Sequence, residues 1–146
     1  MYQQPCDAYR RTQVETATPE RLVLMLYDGA VRFVGEAVSA LRAGEMQRAH
    51  AALLRTQAII EELAGALDFD VGPIAGRLYG LYQYMLRRLE HANLKKDAAA
   101  AGEVAEMLRS LGDAWRQAAA NVRAEGPTDR GAAAGTGGAR RELPGR

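Results

Sequence analysis

One long apolar stretch decides the fold of this chain. Residues 18–43 read TPERLVLMLYDGAVRFVGEAVSALRA. Successive residues of an α-helix lie about 100° apart around its axis. This spacing puts two apolar lines side by side. The first line is Leu22, Leu26, Gly29, Ala30, Phe33 and Ala37, and the second is Val23, Tyr27, Val31, Val34 and Val38. A helix at the edge of a small bundle usually needs only one such line. The second line therefore predicts either a deep position in a bundle or a surface for a partner.

Local signals mark where this helix begins and ends. Thr18 is a suitable N-cap, and Pro19 suits the first helical position. Glu20 favours the positive end of the helix dipole. Gly44 follows the last apolar residues and is typical of a helix C-terminus. We therefore predict a helix over about residues 19–43.

Three more helices are predicted, over about residues 45–67, 73–94 and 98–123. Asp68 to Gly72 form a turn before Pro73, and Asp97 caps the last helix. The apolar faces are Met46, Ala49, Leu53, Ile60, Leu63 and Leu67; then Ile74, Leu78, Leu81, Tyr82, Met85 and Leu89; then Ala101, Val104, Leu108, Leu111, Trp115 and Val122. No stretch shows the alternation of a strand. Short connections favour antiparallel neighbours, so we predict an all-α, antiparallel four-helix bundle over residues 18–123.

The two ends of the chain differ from the bundle. Residues 124–146 are dominated by Gly, Ala and Pro, and Leu143 is their only large apolar residue. Such a segment buries too little surface to offset its ordering entropy, which predicts a disordered tail. Residues 1–17 are predicted to form a mobile N-terminal segment, although Tyr9 and Val14 could dock on the bundle.

Composition excludes several classes of protein. The net charge of the 146 residues is +1, which provides no field for nucleic acid or for an acidic membrane. No apolar run is long enough to span a bilayer, and the N-terminus does not resemble a signal peptide. Cys6 is the only cysteine, which fits a reducing compartment. We expect a cytoplasmic protein without membrane insertion.

The sequence contains no recognisable catalytic or metal-binding motif. Di-iron bundles carry Glu-x-x-His, but Gln47 and Arg88 stand three residues before His50 and His91. A phosphate-binding loop after a strand is also missing. We expect neither an enzyme nor a bound cofactor.

The strongest positive signal is surplus apolar surface. On the third helix, Tyr79 and Leu86 lie beside the main stripe and Tyr82 lies at its margin. Valine is a poor choice for an exposed helical position, so the second line of the first helix is unlike random surface. Three interpretations are open: the line belongs to the core, it forms a groove for an amphipathic helix of another protein, or it mediates self-association.

An ordered series of short runs resembles a known family, the flagellin-specific export chaperones of the FliS family. The resemblance covers roughly residues 9–117. The runs are Tyr9, Gln13-Val14, residues 16–22 (TATPERL), residues 25–30 (MLYDGA), residues 58–63 (AIIEEL), Leu67-Asp68, residues 78–85 (LYGLYQYM), Arg88-Leu89, Ala92-Asn93, Glu103-Val104 and Ala114-Trp115. The sequence departs from the family at residues 71–73 and after Val122.

The resemblance implies a cytoplasmic bundle that binds the C-terminal segment of flagellin. In this family the segment is disordered when free and becomes helical on the chaperone, which prevents premature polymerisation. The complex also docks on the flagellar export gate, and the N-terminal segment can cover part of the groove. Homodimer formation is left open. The candidate partner-binding residues are Val23, Tyr27, Val31, Val34, Val38, Tyr79, Tyr82 and Leu86, with Tyr9 and Val14 as a removable lid.

Overall fold

The computed structural model describes residues 17–137, with side chains described through Ala124. It contains four α-helices: α1 (Pro19–Ala43), α2 (Met46–Gly65), α3 (Pro73–Lys95) and α4 (Ala98–Gly137). A short 3₁₀ turn, Phe69–Val71, connects α2 to α3. Residues 17–137 contain no β-strand. The predicted all-α architecture is confirmed.

The ends of α1 follow from local chemistry. The Thr18 hydroxyl accepts a hydrogen bond from the Arg21 backbone N–H at 3.2 Å. At the other end, Gly44 has a φ of 75°, a left-handed conformation that glycine adopts without steric penalty. Its N–H reaches the carbonyls of Ala40 and Leu41. The two predicted caps are therefore those that the structure uses.

The connection between α3 and α4 is equally short. Lys96 ends α3 with a left-handed φ of 52°. Asp97 Oδ1 then accepts hydrogen bonds from the backbone N–H groups of Ala99 and Ala100 at 3.0 and 3.2 Å. These backbone donors, led by Ala100, hold the pKa of the Asp97 carboxyl below its ordinary value. Asp97 is therefore an N-cap in its charged form.

On each helix, the buried residues recur at intervals of three and four positions, which is the pattern of left-handed helical packing. The lines are Tyr27, Ala30, Val34, Ala37 and Leu41 on α1; Ala49, Leu53, Thr56, Ile60 and Leu63 on α2; Ala75, Leu78, Tyr82, Met85, Leu89 and Ala92 on α3; and Ala101, Val104 and Leu108 on α4.

The predicted apolar face of α3 is corrected at two positions. Ile74 and Leu81 are exposed, and Ala75 and Ala92 are buried instead. The buried line is rotated toward the small alanines, because they allow neighbouring helices to approach closely. Val122 on α4, also predicted to face the core, is exposed.

Contacts between neighbours establish the antiparallel order. A Cβ added to Gly29 on α1 would lie 3.2 Å from Ile59 Cδ1 on α2. Between α2 and α3, the Nδ2 atom of Asn93 lies 2.9 Å from the Nδ1 atom of His50. Glu103 on α4 joins α3 by accepting hydrogen bonds from the Tyr84 hydroxyl and from Arg88 Nε, the latter at 2.8 Å.

The chain divides into two compact units after Gly112. The first contains the bundle. The second is helical from Asp113 to Gly137, and Asp113 accepts from Arg116 at 3.1 Å. Its helix runs beyond the predicted end, through residues 124–137, which contain four alanines but also four glycines and Pro127. A disordered tail over residues 124–146 stays a prediction.

Candidate functional site

The centre of the bundle contains three of the predicted partner-binding residues. Tyr27, Val34 and Tyr82 are buried. The Tyr27 and Tyr82 hydroxyls form a hydrogen bond at 2.5 Å between α1 and α3. A Cβ added to Gly112 on α4 would lie 3.5 Å from Tyr27 Cβ. Thus α1 reaches α2, α3 and α4, and the core interpretation of the second line is correct at these positions. The expectation that they form an exposed surface is wrong.

Burial also determines the ionisation of this tyrosine pair. Desolvation, supported by the hydrogen bond with Tyr27, raises the pKa of Tyr82 far above that of a free phenol. The neutral hydroxyls therefore stay paired in the core at all physiological pH values. The pair joins two helices and is not available to a partner in this structure.

A second part of the predicted site remains accessible on α1. Val23, Val31 and Val38 are half-buried, and we call them the valine margin. Phe33, which faces α2 through its contact with Arg55, lies about 200° around the axis from Val31. Val31 and Val38 therefore point away from the α1–α2 contact, whereas Val23 lies about 80° from Phe33 around the axis.

A groove between α2 and α3 also exposes large apolar side chains. Its cavity has a volume of about 560 Å³. Leu54 on α2 and Leu94 on α3 contribute large side chains, and Leu94 is 83% exposed. Two polar side chains at the border of the groove are hydrogen-bonded to each other, because Lys96 Nζ donates to Asn93 Oδ1 at 2.9 Å. The lining residues are His50, Leu54, Gln57, Glu90, Asn93, Leu94 and Lys96.

The same face of α3 continues toward the 3₁₀ turn. Leu86 and Tyr79 lie one and three turns before Glu90 on that face, by helix geometry. Tyr79 is 44% exposed and Phe69 is 57% exposed. Their rings meet edge to face, with centroids 5.9 Å apart. We call the line of Leu54, Leu94, Leu86, Tyr79 and Phe69 the α2–α3 groove.

The structure therefore separates the predicted site into two surfaces. Tyr79 and Leu86 lie on the α3 face that continues from the cavity beside Leu54 and Leu94, whereas the valine margin is on α1, which does not line that cavity. Tyr9 and Val14 lie outside the described residues.

Sequence reasoning missed three large side chains of the groove: Leu54, Leu94 and Phe69. The sequence does contain a signal for Leu54 and Leu94. Leu54 lies off the buried line that includes Leu53 and Thr56, just as the second line of α1 lies beside the first. The same search for a second apolar line on α2 and α3 would have identified them.

The described residues provide little for other kinds of chemistry. Within residues 17–137, no three His, Cys, Asp or Glu side chains are grouped so that they could hold a metal ion. None of the described helices has an apolar stretch long enough to cross a membrane. The groove instead combines accessible apolar side chains with a polar border, which is the character of a helix-binding surface.

Comparison with known proteins identifies the family. The sequence model described as "Flagellar protein FliS" matches residues 1–122. The chain belongs to the FliS family. It is 38% identical over 116 residues to the flagellar secretion chaperone FliS of Bacillus subtilis (strain 168), covering 80% of this chain and 86% of that protein. It is 39% identical over 116 residues to the FliS of Salmonella typhimurium, covering 75% and 86%.

A solved structure shares the FliS-family fold. It is described as "Crystal structure of flagellar chaperone from bacteria" and superposes with a TM-score of 0.67 at 20% sequence identity. The match covers 81% of this chain and 99% of that chain. The relatives are named as chaperones rather than as enzymes, which agrees with the expected absence of catalysis.

Proposed function

We propose that this FliS-family protein is a cytoplasmic export chaperone that binds the C-terminal segment of flagellin. It holds the segment away from polymerisation and helps to deliver it to the flagellar export gate. The observation that carries this proposal is the α2–α3 groove, where large apolar side chains are exposed along one face of the bundle. Large exposed apolar patches on water-soluble surfaces commonly mark binding sites.

A helical segment fits this groove for energetic reasons. A partner that folds on binding must offset its ordering entropy, so it needs a long apolar surface. Leu54, Leu94 and Phe69 are exposed in the free chain, and covering apolar area gains about 25 cal/mol per Å² before association costs are subtracted. The polar border at Glu90 and Lys96 supplies groups that can fix the orientation of the segment.

The valine margin provides a second contact in this proposal. Val23, Val31 and Val38 are accessible enough to gain buried area when a partner packs on them. A flagellin segment that passes from the α2–α3 groove around the bundle would reach both surfaces. Tyr9 and Val14, as a lid, would be displaced when the segment binds.

Calorimetric titration tests the proposed partner. The chain is titrated with its host flagellin, in full length and without the C-terminal segment of about 40 residues, whose helical length would be about 60 Å. Tight binding with a large negative heat-capacity change, lost on truncation, is the expected result. Absence of binding to either form would contradict the flagellin assignment. Light scattering that showed a stable, concentration-independent oligomer with the groove covered would support self-association instead.

A further inference from the structure

A third surface lies where α1 packs against α2, and it is separate from the α2–α3 groove and the valine margin. There, two arginines share one aromatic ring. The Cζ atom of Arg32 is 5.0 Å from the centroid of Phe33, and that of Arg55 is 5.5 Å from it. Arg32 and Phe33 are adjacent on α1, whereas Arg55 comes from α2. Two guanidinium groups are therefore gathered at one place by residues from two helices.

The backbone beneath this site is closely packed. Gly29 and Phe33 lie one turn apart on α1, and Ile59 and Arg55 lie one turn apart on α2. The Cβ position of Gly29 is 3.2 Å from Ile59 Cδ1, so the two helices approach closely one turn from the ring. The antiparallel order of the helices then places Arg55 opposite Phe33. The close approach gives the arginine pair a rigid base.

No described carboxylate lies within ion-pair distance of either guanidinium, and the nearest acidic residues along α1, Asp28 and Glu36, stand four residues to each side of Arg32. By contrast, Arg48 and Arg109 each pair with a glutamate three residues before them. Holding two like charges at one ring is unfavourable in the absence of a counter-charge. The pair is thus suited to receive a negative group from outside.

The aromatic ring leaves the arginine donors available. A guanidinium attracted to a ring face interacts with it through its charge, while its N–H groups stay in the guanidinium plane. Those N–H groups match the two oxygens of a carboxylate. Contact with Phe33 also restricts the side-chain rotamers, which lowers the entropy lost when a ligand binds.

We propose that Arg32, Phe33 and Arg55 form a docking site for an acidic segment of a partner protein, whose Asp or Glu carboxylates are held by the two guanidinium groups. A protein segment fits better than a nucleic acid, because the net charge of the chain is only +1 and the site contains two cations rather than an extended basic track. This site does not depend on the proposed flagellin groove, since it lies on a different pair of helices.

Nuclear magnetic resonance tests the proposal through the arginine Nε–Hε signals of the full chain. The probes are a 12-residue peptide with four glutamates, the same peptide with glutamines in their place, and a 12-nucleotide single-stranded DNA. The glutamate peptide is expected to shift the Arg32 and Arg55 signals, and the glutamine peptide is expected to leave them unchanged. Raising the salt concentration should weaken the response, because the charges are accessible to solvent.

Substitutions distinguish the contribution of the arginine charges to peptide binding from that of the Phe33 ring. Arg55→Gln is expected to weaken glutamate-peptide binding about fivefold. Phe33→Leu, which keeps both charges, is expected to weaken it about threefold. Arg77→Gln is the matched control, since Arg77 is exposed on α3 without a ring contact, and it should bind as the parent does. Urea unfolding of each variant checks that the bundle is retained.

Three results would overturn the proposal. The first is an equal response of the two arginines to the glutamate and glutamine peptides. The second is an equal loss of binding in Arg77→Gln and Arg55→Gln. The third is stronger binding of the DNA than of the glutamate peptide at the two arginine signals, which would identify a phosphate site instead.

Discussion

Tyr82 and Tyr79 lie three residues apart on α3, yet Tyr82 is 1% exposed and Tyr79 is 44% exposed. Only about 60° of rotation around the helix separates them. Tyr82 points to the centre and bonds to Tyr27, whereas Tyr79 meets Phe69 at the surface. The same residue type therefore stabilises the fold at one position and forms accessible surface at the other. In this bundle, position relative to neighbouring helices determines the role.

The largest effect expected from truncating a side chain comes from breaking the buried half of this comparison. Tyr82→Ala removes a buried ring and leaves a cavity, so it should lower the free energy of unfolding by about 3–5 kcal/mol. Tyr79→Ala removes a half-exposed ring and should lower it by less than about 1 kcal/mol. Urea denaturation measures both. Equal losses in the two variants would show that the ring at Tyr79 also belongs to the core.

A second pair of variants tests the same distinction on α1. Val34→Asp places a charge in the buried core and should unfold the bundle. Val31→Asp places it on the half-buried valine margin, so the bundle should stay folded while flagellin binding is abolished. Circular dichroism and titration with flagellin measure the two effects. An unfolded Val31→Asp variant would show that Val31 belongs to the core and that the valine margin is not a binding surface.

Variants in the groove sharpen the comparison, because they should affect binding more than stability. Leu94→Asp changes a side chain that is 83% exposed, so the bundle should stay folded, and the free energy of unfolding should fall by about 1 kcal/mol because an acidic residue is unfavourable in the last turn of α3. Flagellin affinity should fall at least tenfold, since a charge would replace an apolar contact, and ten times is about 1.4 kcal/mol. Ser110→Asp on α4 is the matched exposed control. Unchanged affinity in Leu94→Asp would exclude this end of the groove.

The smallest expected effect concerns the cap of α4. Asp97→Asn keeps an acceptor for Ala99 and Ala100 but removes the charge, so it should lower the urea midpoint modestly at pH 5. Because the folded-state pKa of Asp97 is depressed, its stabilisation is present above the ordinary carboxyl pKa and is lost as the pH falls through the depressed value. The difference between parent and variant should therefore shrink toward pH 2. A difference that grows on acidification would contradict this assignment.

The helix boundaries could be predicted because they depend on local chemistry. Thr18, Gly44 and Asp97 act on backbone groups within a few residues of themselves. The same reasoning located Pro73 at the start of α3. Such signals need no knowledge of the tertiary structure.

The division between core and surface could be predicted only in part, because it depends on contacts between distant residues. Periodicity places Tyr27 and Val31 on one line of α1, but the line becomes buried only where Tyr82 and Gly112 approach it. The accessibility of Leu54 and Leu94 likewise depends on how α2 and α3 pack. A single helix pattern contains no information about these neighbours.

Helix α4 extends beyond its predicted end. Glycine and proline after residue 124 favour an early end, whereas the helix continues to Gly137. Residues 124–137 contain four alanines against four glycines and one proline, so helix propensity does not account for the extension.

The most direct test of the account is a methyl-labelled spectrum of the full chain with and without the C-terminal segment of flagellin. The largest changes are expected at the methyl groups of Leu54, Leu86 and Leu94 and at Val31. The buried methyl groups of Leu53 and Leu89 should change least. Largest changes at the buried positions, or no change in the α2–α3 groove while the segment binds, would contradict the central claim that accessible apolar surface, rather than the core, receives the partner.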